Sequence, residues 1–210
     1  GRAGHLMTTA ILALQGAFAE HGAMLDALSE PWFELRSAAD ADRDFDRLVL
    51  PGGESTVQGK LLREEGLLEP LGCRIGAGMP VLGTCAGLIL MARSVLERGP
   101  DGVETDGPGA FSTLDVTVKR NAYGRQLGSF RASAPLDGGA VVPMSFIRAP
   151  RIVDIGPSVR CLAEVDGCPV AVQQGSQIAV AFHPELDGDP SIHELFLDAE
   201  WVTQGDAGRG

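Results

Sequence analysis

The chain has 210 residues, 44% hydrophobic and 21% charged, a balance that fits a folded chain with a buried core and excludes an intrinsically disordered one. Its 17 Lys and Arg stand against 28 Asp and Glu, a formal charge of −11, so a nucleic acid or an anionic membrane is excluded as the expected partner on grounds of repulsion. No apolar run approaches the roughly 18 to 20 residues of a membrane span, and no secretory signal pattern is present. The four cysteines, Cys73, Cys85, Cys161 and Cys168, form neither a CxxC pair nor a zinc spacing. They predict reduced thiols in a cytoplasmic chain, and the sequence indicates no metal or organic cofactor. Gly1 to Leu6 has no periodicity and precedes Met7, which reads as an expression-vector remnant ahead of one domain over 7–210.

Thr9 to Leu14 is a short apolar run of strand length, and Ala17 to Leu28 has helical spacing until Pro31 stops it. Trp32 to Leu35 and Arg47 to Leu50 read as the next strands. The latter runs into the turn signal Pro51-Gly52-Gly53. Ser55 or Thr56 is the expected cap of a helix carrying Leu61 and Leu62. Pro80 to Leu82 reads as a buried strand and Ala86 to Arg93 as a helix. Alternation of strand and helix predicts a parallel sheet covered on both faces. After Pro100 the texture changes. Leu114 to Val118, Val141-Val142, Cys161 to Val165, Val170 to Gln173 and Ile178 to Phe182 are short runs parted by Gly, Pro and Asp. They predict a mainly antiparallel half, with a hairpin across Gln174 to Gln177. A last helix is expected over Ser191 to Val202.

The sharpest chemical feature is Gly83-Thr84-Cys85-Ala86-Gly87, between a strand and a helix. It has the form of a G-x-nucleophile-x-G elbow with Cys in place of Ser. Such a turn strains the central residue and holds its side chain at the carboxyl edge of the sheet. The following helix start favours thiolate, and the Ala86 amide is a candidate oxyanion donor. A thiol near its ordinary pKa needs a base. His5 lies in the opening segment. His193, in the last helix, reads as a surface or packing residue, and His21, beside Glu20, as a structural or interface residue. His183 remains: it follows a strand and precedes Pro184 and Glu185, a carboxylate placed to fix its tautomer. Gly52, Gly53 and Glu54 form a loop that can bring backbone N–H groups to a substrate oxygen. Gly53 is the second candidate oxyanion donor.

These motifs together are similar to the class I, triad-type glutamine amidotransferases. Leu14-Gln15-Gly16 with Glu20-His21, Gly52 to Ser55, Gly83 to Leu90, Lys119 to Gln126 (KRNAYGRQ), Ser145 to Pro150 (SFIRAP) and Phe182 to Leu186 resemble the glutaminase subunits of pyridoxal 5′-phosphate synthase. The matches run in order over nearly the whole chain. Val57, where a second Thr is common, and the Gly- and Asp-rich stretch from Pro100 to Gly109 depart from the pattern without touching Cys85, His183 or Glu185.

The resemblance implies a three-layer, flavodoxin-like α/β fold: a mainly parallel central sheet flanked by helices, with an antiparallel β extension in the C-terminal half. It also implies hydrolysis of L-glutamine to glutamate and ammonia, with Cys85 as nucleophile, His183 moving protons and Glu185 orienting it. Gly52, Gly53, Glu54, Arg120, Ile147 and Arg148 would contact the substrate. An Arg offers a planar fork to the substrate α-carboxylate, a role for which Arg125 competes, and Glu54 offers a partner to its α-amino group. The implied partner is a synthase subunit, a dodecameric ring decorated by glutaminase subunits, that makes pyridoxal 5′-phosphate from a pentose phosphate, a triose phosphate and the ammonia. The Gln15-Gly16 peptide is a candidate to reorient on docking. Three other readings remain open at this level: a glutaminase subunit of another amidotransferase such as imidazole glycerol phosphate synthase, a stand-alone cysteine hydrolase of γ-glutamyl compounds, and a catalytically silent structural subunit.

Overall fold

A computed structural model describes residues 6–120 and 129–202. Strands β1 (Thr9–Leu12), β2 (Trp32–Leu35), β3 (Arg47–Leu50) and β4 (Val81–Thr84) alternate with helices α1 (Phe18–Ala27), α2 (Ala38–Ala41), α3 (Ser55–Glu64) and α4 (Leu68–Gly76). Helix α5 (Ala86–Met91) follows, then β5 (Ala92–Arg98), β6 (Glu104–Gly107) and β7 (Leu114–Lys119). The remaining strands are β8 (Ser129–Pro135), β9 (Val141–Ile147), β10 (Arg151–Ile155), β11 (Arg160–Val165), β12 (Cys168–Gln174) and β13 (Gln177–Val180). A 3-10 turn (Pro184–Leu186) and helix α6 (Ser191–Leu197) close the described chain.

The central sheet has the order β11-β12-β13-β4-β3-β1-β2. From β13 to β2 every neighbour is parallel, and β12 and β11 add antiparallel strands at one edge. Every residue of β1, β3 and β4 is buried, the signature of strands covered on both faces. Right-handed crossovers from β1 to β2 and from β3 to β4 run in opposite directions, which puts α1 and α3 on opposite faces. The smaller sheet, β10-β7-β5-β6, and the β8–β9 hairpin form the β-rich extension. The hairpin expected across Gln174 to Gln177 is formed by β12 and β13, with Gln174 opposite Gln177.

Several local expectations change. The cap of α3 is neither Ser55 nor Thr56 but Glu54, whose extended backbone lets its carboxylate accept from the Thr56 amide at 3.2 Å. The helix after Cys85 stops at Met91, because Ala92 turns to strand geometry and enters β5 between β6 and β7. The last helix ends at Leu197 rather than Val202. Beyond it, Trp201 Nε1 donates to the Asp46 carbonyl and the Val202 amide to the Gly78 carbonyl, which hold the chain off a helical path.

Candidate active site

Because β1, β3, β4 and β13 are parallel, the segments leaving their carboxyl ends meet at one edge of the sheet. Those segments carry Gln15-Gly16, Gly52-Gly53, Cys85 and His183 in turn.

Cys85 has φ 49° and ψ −101°, a left-handed backbone that a non-glycine residue holds only under constraint. The constraint is visible. Its amide donates to the Val180 carbonyl at 2.9 Å, and the flanking glycines leave no room for side chains. A Cβ on Gly87 would stand 2.0 Å from the Leu50 carbonyl oxygen, and one on Gly83 2.5 Å from Met91 Sδ. The sulfur is nearly buried and faces the Ile147 carbonyl at 3.8 Å.

His183 is set by β9 as well as by β13. Its amide donates to the Ser145 carbonyl at 2.8 Å, and Ser145 in turn donates from its amide (2.9 Å) and hydroxyl (2.5 Å) to Asp187. Phe182, just before it, meets Phe146 of β9 edge to face. The His183 Nδ1 lies 2.6 Å from Glu185 Oε1. Burial works against charge on this imidazole. The hydrogen bond to the Cys85 sulfur and the hydrogen bond and charge of Glu185 outweigh it, and push the His183 pKa up to about 10. The ring is therefore an imidazolium at neutral pH, beside the sulfur.

Gly52 has to be glycine for the ring to sit there, since a Cβ would come within 2.4 Å of His183 Cε1. The β1 and β3 loops lock together. The Ala17 amide donates to the Gly52 carbonyl (3.0 Å), the Glu54 amide to Gln15 Oε1 (2.8 Å), and Gln58 Nε2 to the carbonyls of Gln15 and Pro51.

A cavity of about 450 Å³ opens over the sulfur. Its wall includes Gly53, Glu54, Cys85, Ala86, Arg120, Ile147, Arg148 and His183. Gly52 and Glu185 stand behind this wall, against and beyond the imidazole. Arg120 is held by Thr56 Oγ1 (2.7 Å) and Ser55 Oγ (2.5 Å), with Glu97 3.7 Å away. Arg148 is exposed on a left-handed backbone (φ 44°) after β9. Arg125, its competitor in sequence, lies outside the described residues, as does the rest of 121–126.

Sequence reading missed three wall residues, Ser55, Ile89 and Pro150. Ile89 had a signal: it lies four positions after Cys85, one helical turn along the same face. Of the two roles open to His193, surface or packing, the structure has the second: it is fully buried against His21.

The SNO glutamine amidotransferase family matches residues 11–201. The chain belongs to this family. Among its relatives, the pyridoxal 5′-phosphate synthase subunit PdxT of Bifidobacterium longum is 52% identical over 197 residues, covering 90% of this chain and 98% of that protein. The subunit of the same name from Desulfitobacterium hafniense is 51% identical over 193 residues, covering 92% and 93%. A crystal structure of a glutamine amidotransferase superposes with a TM-score of 0.81 at 38% identity, covering 90% of this chain and 97% of its own. The structure of PurLQS from Thermotoga maritima, at 13% identity and TM-score 0.66, covers 92% and 99% and shows the shared fold. Among the described residues of this amidotransferase, no helix is long and apolar enough to cross a membrane.

Proposed function

We propose that this chain is the glutaminase subunit of a pyridoxal 5′-phosphate synthase, acting in the cytoplasm in vitamin B6 biosynthesis. It hydrolyses L-glutamine and passes the ammonia to a synthase subunit, a dodecameric ring decorated by glutaminases, that joins it to a pentose phosphate and a triose phosphate. The observation that carries the reading is the pairing of the Cys85 sulfur with an imidazolium whose other nitrogen is held by Glu185, at the floor of a cavity. The names of the relatives support the pathway, and favour it over imidazole glycerol phosphate synthase.

In this mechanism the Cys85 thiolate attacks the side-chain amide carbon of glutamine. The amides of Gly53 and Ala86 receive the developing oxyanion. His183 gives its proton to the amide nitrogen, the C–N bond breaks, ammonia leaves and a glutamyl thioester remains. The now neutral His183 takes a proton from water as the hydroxide adds. Collapse of the second tetrahedral intermediate expels the thiolate and releases glutamate, and the imidazolium is restored. Arg120 and Arg148 supply cations for the substrate α-carboxylate, Glu54 an anion for its α-amino group, and Gly52, Gly53 and Ile147 the surrounding wall. Gln15-Gly16, clasped by Gln58 and the Glu54 amide, is the segment that responds to docking, and a Gln15 variant with full synthase-stimulated activity would count against that role.

The test is Cys85→Ala, assayed for glutamate release with and without the synthase. Glutamine turnover is expected to vanish, while folding and ammonia-driven synthesis by the partner persist. Appreciable turnover by the variant removes Cys85 as nucleophile. A glutamine-analogue electrophile that leaves no adduct on Cys85 with or without synthase favours a silent subunit. Full activity without any partner favours a stand-alone hydrolase.

A further inference from the structure

Behind Glu185 lies a second polar cluster that the mechanism above does not use. His21 of α1 and His193 of α6 are 172 positions apart in sequence, and both are fully buried. His21 Nδ1 and His193 Nε2 are 2.8 Å apart. The other nitrogen of His21, Nε2, lies 3.2 Å from Thr84 Oγ1 and 3.5 Å from Glu185 Oε2. That carboxylate oxygen has no hydrogen bond of its own among the described residues. Its sister, Oε1, is the one that holds His183.

The tautomers follow from satisfaction of the buried nitrogens. Burial, then the charges of His193 and His183, holds the His21 pKa well below the usual histidine range, and burial pushes His193 down to about 4. Both rings are neutral at neutral pH, with one N–H each. His193 Nδ1 has no hydrogen-bond partner among the described residues. A buried N–H without a partner costs more than an idle lone pair, so the His193 proton sits on Nε2 and points at His21 Nδ1. His21 accepts there, and its own proton is thereby assigned to Nε2. That nitrogen is hydrogen-bonded to the Thr84 hydroxyl oxygen, and the free oxygen of Glu185, 3.5 Å away, makes no hydrogen bond with it but faces the N–H dipole.

We propose that His21 is a positioning residue for Glu185: its N–H, fixed in place by His193, steadies the carboxylate from the side opposite His183. The proposal rests on the glutaminase reading. It explains why a neutral imidazole pair is buried at the back of a site whose front ring is charged. A carboxylate gripped at one oxygen can turn about its terminal bond. A dipole at the second oxygen limits that turn, and through Glu185 it holds the imidazole against the sulfur. Thr84, one residue before Cys85, ties the same N–H to the strand that leads into the elbow. The titratable groups facing His21 are His193, His183 and Glu185.

The experiment compares wild type, His21→Leu and His21→Gln. Gln can offer an N–H where His21 Nε2 does, and Leu cannot. Two readouts are taken. One is glutamate release by each variant assembled with the synthase subunit. The other is the rate of iodoacetamide alkylation at Cys85, followed by mass spectrometry over roughly pH 5 to 9, which needs neither substrate nor partner. In His21→Leu, kcat is expected to fall about 10- to 100-fold with KM within about twofold, since a misaligned group costs turnover more than binding. Its alkylation at Cys85 is expected to slow about tenfold at neutral pH, as the imidazolium is held less firmly beside the sulfur. His21→Gln restores most of both, although its unfolding midpoint is lowered by a similar amount. A wild-type kcat and alkylation profile in His21→Leu overturns the proposal, and so does a His21→Gln variant as impaired as His21→Leu. Should His21→Leu fail to fold, His193→Phe takes its place. It removes the N–H that fixes the tautomer, and a wild-type alkylation profile there overturns the proposal equally. If wild type with the synthase releases no glutamate, the functional reading fails, while the alkylation profile still decides the positioning.

Discussion

Glu185 has a different kind of histidine on each side. His183 is pushed up to about 10 and carries a charge, whereas His193 is pushed down to about 4 and His21 well below its ordinary range. All three rings are buried, so burial does not separate them. Their neighbours do. His183 has a carboxylate oxygen at 2.6 Å and a sulfur beside it. His21 meets a neutral imidazole at 2.8 Å, and reaches Glu185 only at 3.5 Å with the positive His183 beyond it. Burial makes neutrality the default for an imidazole, and only close anions reverse it. A single carboxylate thus divides the buried edge of the sheet into a charged ring that can give a proton to a leaving group and a neutral pair that cannot.

The most severe break of that contrast removes the charged ring. His183→Asn is expected to lower glutamine turnover about 10³- to 10⁴-fold, as the loss of a proton-transfer partner does in such sites. Glutamate release with the synthase measures it, and a loss smaller than about tenfold would mean that another group moves the proton. The variant also changes stability against pH. The folded pKa of His183 lies above its unfolded value near 6.5, so its contribution is complete below about pH 6.5 and fades as the pH rises toward 10. His183→Asn should therefore flatten the alkaline limb of a stability profile.

A milder break moves the ring without removing it. In Gly52→Ala the new methyl would stand 2.4 Å from His183 Cε1 and 3.5 Å from Cys85 Cβ. The imidazole has to shift, and a displacement of about 1 Å costs on the order of 10²-fold in turnover. The neutral His21–His193 pair, on the far side of Glu185, should be untouched. A Gly52→Ala enzyme with wild-type kcat would show that the ring has more freedom than its contacts imply.

The two regions were unequally legible in the sequence. Cys85 could be read because a tight strand-to-helix turn demands glycines at fixed offsets, and Gly83 and Gly87 supply them. His183 and Glu185 could be read because both partners lie within three residues. The parallel strands β1, β3 and β4 announced themselves through short apolar stretches, Ala10 to Leu12, Leu48 to Leu50 and Val81-Leu82. The His21–His193 contact could not be read, since it depends on α1 and α6 meeting across 172 residues of chain. The same reason hid β5. Ala86 to Arg93 looks like one apolar helix, and only pairing with β6 and β7 turns Ala92 into a strand. Helix α4 escaped because Pro70 and Gly72 break a propensity count, although a proline in the first helical turn costs no hydrogen bond. Local geometry writes its requirement into neighbouring residues; tertiary pairing does not.

The neutral pair leaves its own mark on stability, opposite in direction to that of His183 and smaller in effect than the losses of turnover above. The folded pKa of His193 is about 4, below the unfolded value near 6.5. Above pH 6.5 both states hold the ring neutral and nothing is lost. Between 6.5 and 4 the unfolded chain takes up a proton that the folded one refuses, so stability falls as the pH drops. At pH 5 the loss from this one group is about 2 kcal/mol. Carboxylates titrate in the same range, so the comparison must be with His193→Gln, which keeps an N–H for His21 but has nothing to protonate. Urea unfolding at pH 7 and pH 5 is expected to show a drop smaller by about 2 kcal/mol in the variant than in wild type. An equal drop in both would mean that His193 is charged in the folded protein, and the tautomers that direct the His21 N–H toward Glu185 would fall with it.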